Sequence, residues 1–139
     1  MSNNTFNINK AIVAARTLQL TAHAAHHLAS GGNFLSDHEM FSDTYEAAEG
    51  AYDDLVELAI GNGFTPIFEI LSGRASAAKV SDIVGESEKD IETVLALENS
   101  FFETCNLARK DASRDIDTLL GDIMRDAGKR IYKYQRRLA

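Results

Sequence analysis

The stretch HHLASGGNFLSDHEMFSDTYEAAEGAYDDLVELAIG, residues 26–61, joins two apolar patterns through the turn Gly31-Gly32-Asn33. Glycine and asparagine tolerate left-handed backbone angles, so this turn predicts the end of one helix and the start of another. Before the turn, apolar residues recur at three- and four-residue spacings and predict a first helix that ends at about Ser30. These residues are Ile12, Ala15, Leu18, Ala22, Ala25 and Ala29.

After the turn, the same kind of spacing predicts a second helix, with Ser36 or Asp37 as its expected cap. Gly61-Asn62-Gly63 marks its end. Its apolar stripe consists of Phe34, Phe41, Tyr45, Ala48, Tyr52, Leu55, Val56 and Ala59.

Two more helices are predicted in the rest of the chain. Ser87 with Asp90 three residues later resembles a capping box, and the third helix runs from there to Ala108. The fourth begins at about Arg114. Residues 64–85 form a long crossing connection that carries one short helix. Two helical hairpins joined by one long connection describe an all-α, ferritin-like four-helix bundle.

The composition is that of a soluble globular protein. Hydrophobic residues make up 45% and charged residues 25% of the 139 residues, as expected for one domain spanning residues 1–139. The formal net charge of −7 argues against a nucleic-acid partner and favours the attraction of cations. Cys105 is the single cysteine, which excludes an intrachain disulfide. No apolar run approaches the roughly 20 residues of a membrane helix and no signal peptide stands out, so we expect a cytoplasmic protein.

Candidate metal ligands occur at informative spacings within residues 26–61. Asp53 and Glu57 are four residues apart, so both carboxylates project from one face of the second helix. His38 lies on the same helix, but a rise of 1.5 Å per residue places it roughly 22 Å from Asp53 and roughly 28 Å from Glu57. Because metal–ligand bonds are about 2 Å long, His38 and the two acids cannot bind one ion within a single chain.

An antiparallel, two-fold pairing of second helices removes this difficulty. It would place His38 of one chain beside Asp53 and Glu57 of the other and create two equivalent sites per dimer. His26 could join His38 across the glycine turn. Two imidazoles and two carboxylates suit iron and also tolerate zinc or manganese. Alone, Asp53 and Glu57 would simply be a solvated helix face, and it is their joint spacing with the histidines that predicts a metal site.

The spacing resembles that of the Dps family, the twelve-subunit miniferritins named for DNA-binding proteins of starved cells. The matching residues are His26, Gly31, Phe34, His38, Phe41, Tyr45, Asp53 and Glu57. The connection with Pro66 resembles the family's short crossing helix, so the likeness covers nearly the whole chain. Larger ferritins fit less well, because no histidine here has a glutamate three residues before it.

This resemblance implies a ferroxidase that oxidises ferrous iron with hydrogen peroxide or oxygen and stores the ferric product in a hollow shell, protecting against oxidative damage. The shell would be a homo-oligomer, a dodecamer built from two-fold dimers. His26 and His38 from one subunit, with Asp53 and Glu57 from its partner, would be both the catalytic residues and the metal ligands.

Four positions depart from the family pattern. Many members have tryptophan after the first histidine, where this chain has His27. Some add an acidic ligand four residues after the second histidine, where this chain has Ser42. Asp37 and Leu58 also replace the expected residue types. His23, one turn before His26, is expected to face solvent, lie in the core or contact the ligands, and His27 is not assigned as a ligand.

The competing hypothesis is a DNA-binding or structural shell of the same kind with little or no ferroxidase activity. The C-terminal sequence KRIYKYQRRLA interleaves tyrosines with cations that could contact phosphates. The cations are Lys129, Arg130, Lys133, Arg136 and Arg137. A cationic helix end that complements the helix dipole explains this cluster more simply. We therefore expect weak DNA binding or none.

Overall fold

Four long helices make up most of the protein in the computed structural model, which describes residues 3–64, 77–110 and 112–139. They are α1 (Asn3–Leu28), α2 (Phe34–Gly61), α3 (Ser87–Ala108) and α4 (Arg114–Leu138). None of these residues forms a strand, which confirms the all-α prediction. The connection between α2 and α3 includes a short 3-10 helix, Ala77–Asp82. The rest of the predicted crossing segment, residues 65–76 with Pro66, lies outside the described residues.

The predicted apolar stripes form the core of the bundle. Helix α1 packs most extensively against α2 and also against α3, and α3 packs against α4. The stripe of α1 is fully buried at Ile12, Ala15, Leu18, Ala22 and Ala25. Three of these five residues are alanines, whose short side chains let α2 approach closely. The exception in the α2 stripe is Phe34, which is 37% exposed and contacts His38 instead of the core, with ring centroids 4.9 Å apart.

The two glycine turns occur where the sequence predicts them. Helix α1 ends at Leu28, two residues before the predicted end, and Gly31 adopts a φ of +89°. Gly63 follows α2 with a φ of +86°. Side chains with a Cβ rarely adopt such angles, so glycine is what allows each helix to stop and the chain to reverse.

The predicted caps of α2 and α3 are wrong. Helix α2 begins at Phe34, so Asn33 and not Ser36 or Asp37 occupies the N-cap position, without a side-chain capping bond. Glu86 holds that position in α3. Ser87 does not form the capping box, because its hydroxyl donates to the Asp37 carboxylate at 2.9 Å.

Asp90 stabilises the loop before α3 instead of completing a capping box. Its carboxylate accepts the backbone N–H groups of Val84 at 2.9 Å and Gly85 at 2.8 Å. The charge favours both bonds and fixes the direction in which the chain enters α3.

Two largely buried ion pairs attach α4 to the bundle. The Arg130 guanidinium donates to the Glu98 carboxylate of α3, with a distance of 2.9 Å from Nη2 to Oε1. Arg137 donates through Nε to Asp37 at 3.0 Å. Both carboxylates are fully buried. Burial raises the pKa of Glu98, and the hydrogen bonds from Arg130 oppose this rise. The second pair fixes the C-terminal end of α4 beside the first turn of α2, next to His38.

Candidate metal-binding site

His26 and His38 meet where α1 ends and α2 begins. Their rings stack with centroids 3.6 Å apart and planes 19° from parallel. Nδ1 of His26 donates to the backbone carbonyl of His38 at 2.9 Å, and Nδ1 of His38 donates to the carbonyl of His26 at 2.8 Å. A carbonyl oxygen can only accept, so both Nδ1 atoms carry hydrogen. In its neutral form each ring therefore keeps the Nε2 lone pair for a ligand, which is the tautomer that a histidine needs to bind a metal through Nε2.

The positions of these residues in their helices explain the exchange of hydrogen bonds. His26 lies in the last turn of α1, where backbone carbonyls lack amide partners within the helix. The His38 ring supplies one such partner. In addition, Ser42 Oγ lies 3.0 Å from Nδ1 of His26, on the same side of the ring as the carbonyl contact. Both contacts therefore orient the imidazole through Nδ1 and not through Nε2.

Two further rings lie beside the pair. His23 stacks on Tyr45, with centroids 4.1 Å apart and planes 11° from parallel. Tyr45 also lies 5.3 Å from His26 between ring centroids. Partial burial lowers the pKa of His23, and His27 and His26 lower it further. His23 is thus a neighbour of the predicted ligands. The sequence predicts that His23 lies one helical turn before His26, but its spacing does not predict that the His23 ring stacks on Tyr45 of α2.

The predicted acidic ligands lie in a different part of the chain. Asp53 and Glu57 are both exposed on α2, and no hydrogen bond or ion pair joins either to another described residue. Because α2 is continuous from Phe34 to Gly61, the estimated separation of roughly 22 Å between His38 and Asp53 holds. Among the described residues of one chain, no group of three or more histidine, cysteine, aspartate or glutamate side chains could hold a metal ion.

The surroundings of Asp53 are strongly anionic. It borders an open groove of about 530 Å³ together with Glu46 and Glu49. Arg16 contributes a cation to the same groove, but its guanidinium lies over the Tyr52 ring, 4.6 Å from the centroid. A cation entering this region would therefore find unpaired carboxylates.

Cys105 and part of the C-terminal cationic cluster have structural roles. Cys105 is fully buried, and burial raises its thiol pKa to about 12, so it stays protonated at neutral pH and is a poor ligand. The C-terminal cationic cluster is divided, because Arg130 and Arg137 form the buried ion pairs with Glu98 and Asp37. Lys129, Lys133 and Arg136 remain exposed.

Comparison with known proteins identifies the fold. No protein-family model matches the chain, and no curated protein does. Among solved structures, the crystal structure of Dps92 from Deinococcus radiodurans matches with a TM-score of 0.80 and 18% sequence identity, covering 96% of this chain and 84% of that one. The protein has a Dps-like fold.

The Dps-like fold confirms the ferritin-like four-helix bundle and, at the level of the fold, the resemblance drawn from residues 26–61. None of the described helices of this Dps-like chain is long and apolar enough to cross a membrane. Within the fold, the histidine pair belongs to the α1–α2 turn, whereas the two acids lie four to five helical turns further along α2.

Proposed function

We propose that this protein is a ferroxidase miniferritin of the Dps family that oxidises ferrous iron with hydrogen peroxide as the oxidant. His26 and His38 of one subunit, with Asp53 and Glu57 of its partner, would bind the iron. The observation that carries the proposal is the histidine pair. Both rings are fixed through Nδ1 by backbone carbonyls, which leaves the Nε2 atom of each of the two stacked rings for a metal ion.

The proposed donor set suits a ferrous-to-ferric conversion. Imidazole nitrogen retains affinity for ferrous iron, and carboxylate oxygen stabilises the ferric product. Two ferrous ions give up one electron each, and one hydrogen peroxide molecule takes up both electrons and two protons to become two water molecules. The reaction removes iron and peroxide together, so iron storage and protection from hydroxyl radicals follow from one chemistry.

The location of the acids supports a site shared between two chains. Asp53 and Glu57 are exposed and make no hydrogen bond or ion pair with the described part of their own chain, so a partner's histidine pair could approach them. A two-fold axis between antiparallel α2 helices would create two such sites per dimer. Assembly of these dimers into a closed dodecamer would enclose the space for a mineral.

A ferrous oxidation assay on metal-free protein tests the activity. Adding ferrous iron and peroxide should produce ferric absorbance much faster than in protein-free buffer. The His38→Ala, Glu57→Ala double variant should fall to the rate of the buffer. Equal rates for the wild type and this variant would remove the assignment, provided that circular dichroism shows the same helix content.

Light scattering after size exclusion tests the assembly. A dodecamer predicts a particle of about twelve chains at micromolar concentration, since closed point-group symmetry favours one discrete size. A stable monomer that still oxidises iron rapidly would contradict the shared site.

A further inference from the structure

A second histidine pair lies on the last turns of α1, outside the proposed iron ligands. His23 and His27 are four residues apart, and their ring centroids are 4.5 Å apart with planes at 35°. Residues at this spacing project from the same side of a helix. Two histidines spaced by four on a helix are also the arrangement by which HExxH helices hold zinc.

The ring nitrogens of this pair are available, unlike the Nδ1 atoms of His26 and His38. Within residues 3–64, 77–110 and 112–139, no hydrogen bond or ion pair involves the side chain of His23 or His27. In the single chain His27 is exposed and His23 is half-buried, so a hydrated cation can reach the pair from solvent there. Neither ring has to give up a protein contact to bind it.

The spacing of the rings fits two ligands on one ion. For metal–nitrogen bonds of about 2.1 Å, two imidazoles in neighbouring coordination positions have centroids roughly 4.5 to 5.5 Å apart. The observed 4.5 Å lies at the short end of this range. Stacking on Tyr45 already restrains the His23 ring, so less side-chain freedom is lost when an ion binds.

We propose that His23 and His27 form a second binding site for a divalent transition-metal ion, of the borderline class to which zinc belongs. Imidazole is a preferred ligand of these ions, and water completes the coordination. Each subunit provides both protein ligands from one helix, so the site does not need Asp53, Glu57 or a partner chain. It is therefore distinct from the shared iron site, although the His26 ring lies 5.4 Å from the His27 ring between centroids.

Calorimetric titration of the assembled, metal-free protein with zinc alone tests the site. The His38→Gln, Asp53→Ala, Glu57→Ala variant, which leaves the iron site with a single imidazole, should still bind one zinc ion per chain. Adding His23→Gln and His27→Gln to that variant should abolish this binding. Leu28→Gln, a change at an exposed neighbour without a ligand atom, should leave it intact. An unchanged zinc count after loss of both histidines would overturn the proposal.

Two further readouts separate this site from the iron site. Copper(II) bound to the His38→Gln, Asp53→Ala, Glu57→Ala variant should show hyperfine coupling to two imidazole nitrogens, and a signal with one nitrogen or none would contradict chelation by the pair. The His23→Gln, His27→Gln variant of the wild-type chain should keep the wild-type rate of ferrous oxidation. A collapse of that rate would assign these residues to the iron site instead. The zinc count can be read even if the wild type oxidises no iron, so the two proposals can fail separately.

Discussion

The two halves of the proposed iron site differ in how far one chain organises them. The histidine half is complete, because each ring donates to the other residue's carbonyl and the ion pair of Asp37 with Arg137 fixes the helix ends around it. The acidic half has no such support, since Asp53 and Glu57 extend from a continuous helix without a hydrogen bond to any described residue. This contrast is the one expected if, as proposed, one chain prepares the histidine half and a second copy supplies the acidic half.

The histidine half and the acidic half also differ in the free energy that binding an ion requires from each. The imidazoles are held in one tautomer and one orientation before any ion arrives, so little reorganisation accompanies binding. The exposed carboxylates stay solvated in a single chain, and in the proposed dimer they would be desolvated only when the partner covers them. The histidine half and the acidic half can therefore each form in a single chain, before a metal ion or a partner is present.

The largest expected effect comes from the acidic half. Asp53→Ala should reduce ferrous oxidation to near the protein-free rate, because the ion loses a carboxylate ligand. Asp54→Ala is the matched control. Asp54 is also an exposed acid of α2, but it projects about 100° around the helix from Asp53. It should keep the wild-type rate. Equal losses in both variants would mean that general negative charge, and not a defined ligand, supports the reaction.

The next largest effect is a loss of stability when the Arg137–Asp37 ion pair beside the histidine half is broken. Arg137→Ala leaves the buried Asp37 carboxylate without its partner, which should lower the free energy of unfolding by about 3 kcal/mol. Arg125→Ala removes a pair with Asp122 in which both side chains are more than half exposed, and should cost less than about 1 kcal/mol. Urea unfolding at one fixed protein concentration compares the two. Similar urea midpoints for the two variants would show that the Arg137–Asp37 pair stabilises the fold no more than an exposed ion pair does.

Most of the fold could be predicted from the sequence, because helix periodicity and glycine turns are local signals. The caps could not, because distant residues decide them. Asp37 pairs with Arg137, one hundred residues away. The same carboxylate also accepts a hydrogen bond from the Ser87 hydroxyl. Similarly, the spacing brought His26 and His38 to the same turn, but it could not reveal that each ring would donate to the other's carbonyl.

The acidic half illustrates the same limit for the site. The helical rise alone showed that Asp53 and Glu57 could not reach His38 within one chain, and the continuous α2 helix bears this out. The pattern of a single sequence, however, does not predict how a second copy of the chain packs against the first. The shared site therefore stays a proposal.

A smaller effect is expected at Ser42. Its hydroxyl shares Nδ1 of His26 with the carbonyl of His38, so Ser42→Ala leaves the ring oriented by the stronger acceptor. The change should cost about 1 kcal/mol of ferrous-iron affinity, less than a tenfold rise in Kd. Loss of oxidation as complete as in His38→Ala would instead give Ser42 a direct part in binding iron.

The smallest effect is expected for DNA binding, which we predict to be undetectable. Two of the five C-terminal cations form buried ion pairs and the chain carries a net charge of −7, so a gel-shift assay at about 150 mM salt should show no complex. A persistent shift that is lost in Lys133→Ala, Arg136→Ala would establish the DNA-binding alternative and locate its contacts.

Complementation between two inactive variants tests most directly whether the iron site is shared. His38→Ala and Glu57→Ala each break both sites of a homodimer. When the two chains are co-expressed and pair at random, about half of the dimers are mixed, and each mixed dimer combines an intact His38 with an intact Glu57 in one of its two sites. Ferrous oxidation should then recover to about a quarter of the wild-type rate. If the ligands all came from one chain, every site would stay broken, so no recovery in confirmed mixed dimers would contradict the account.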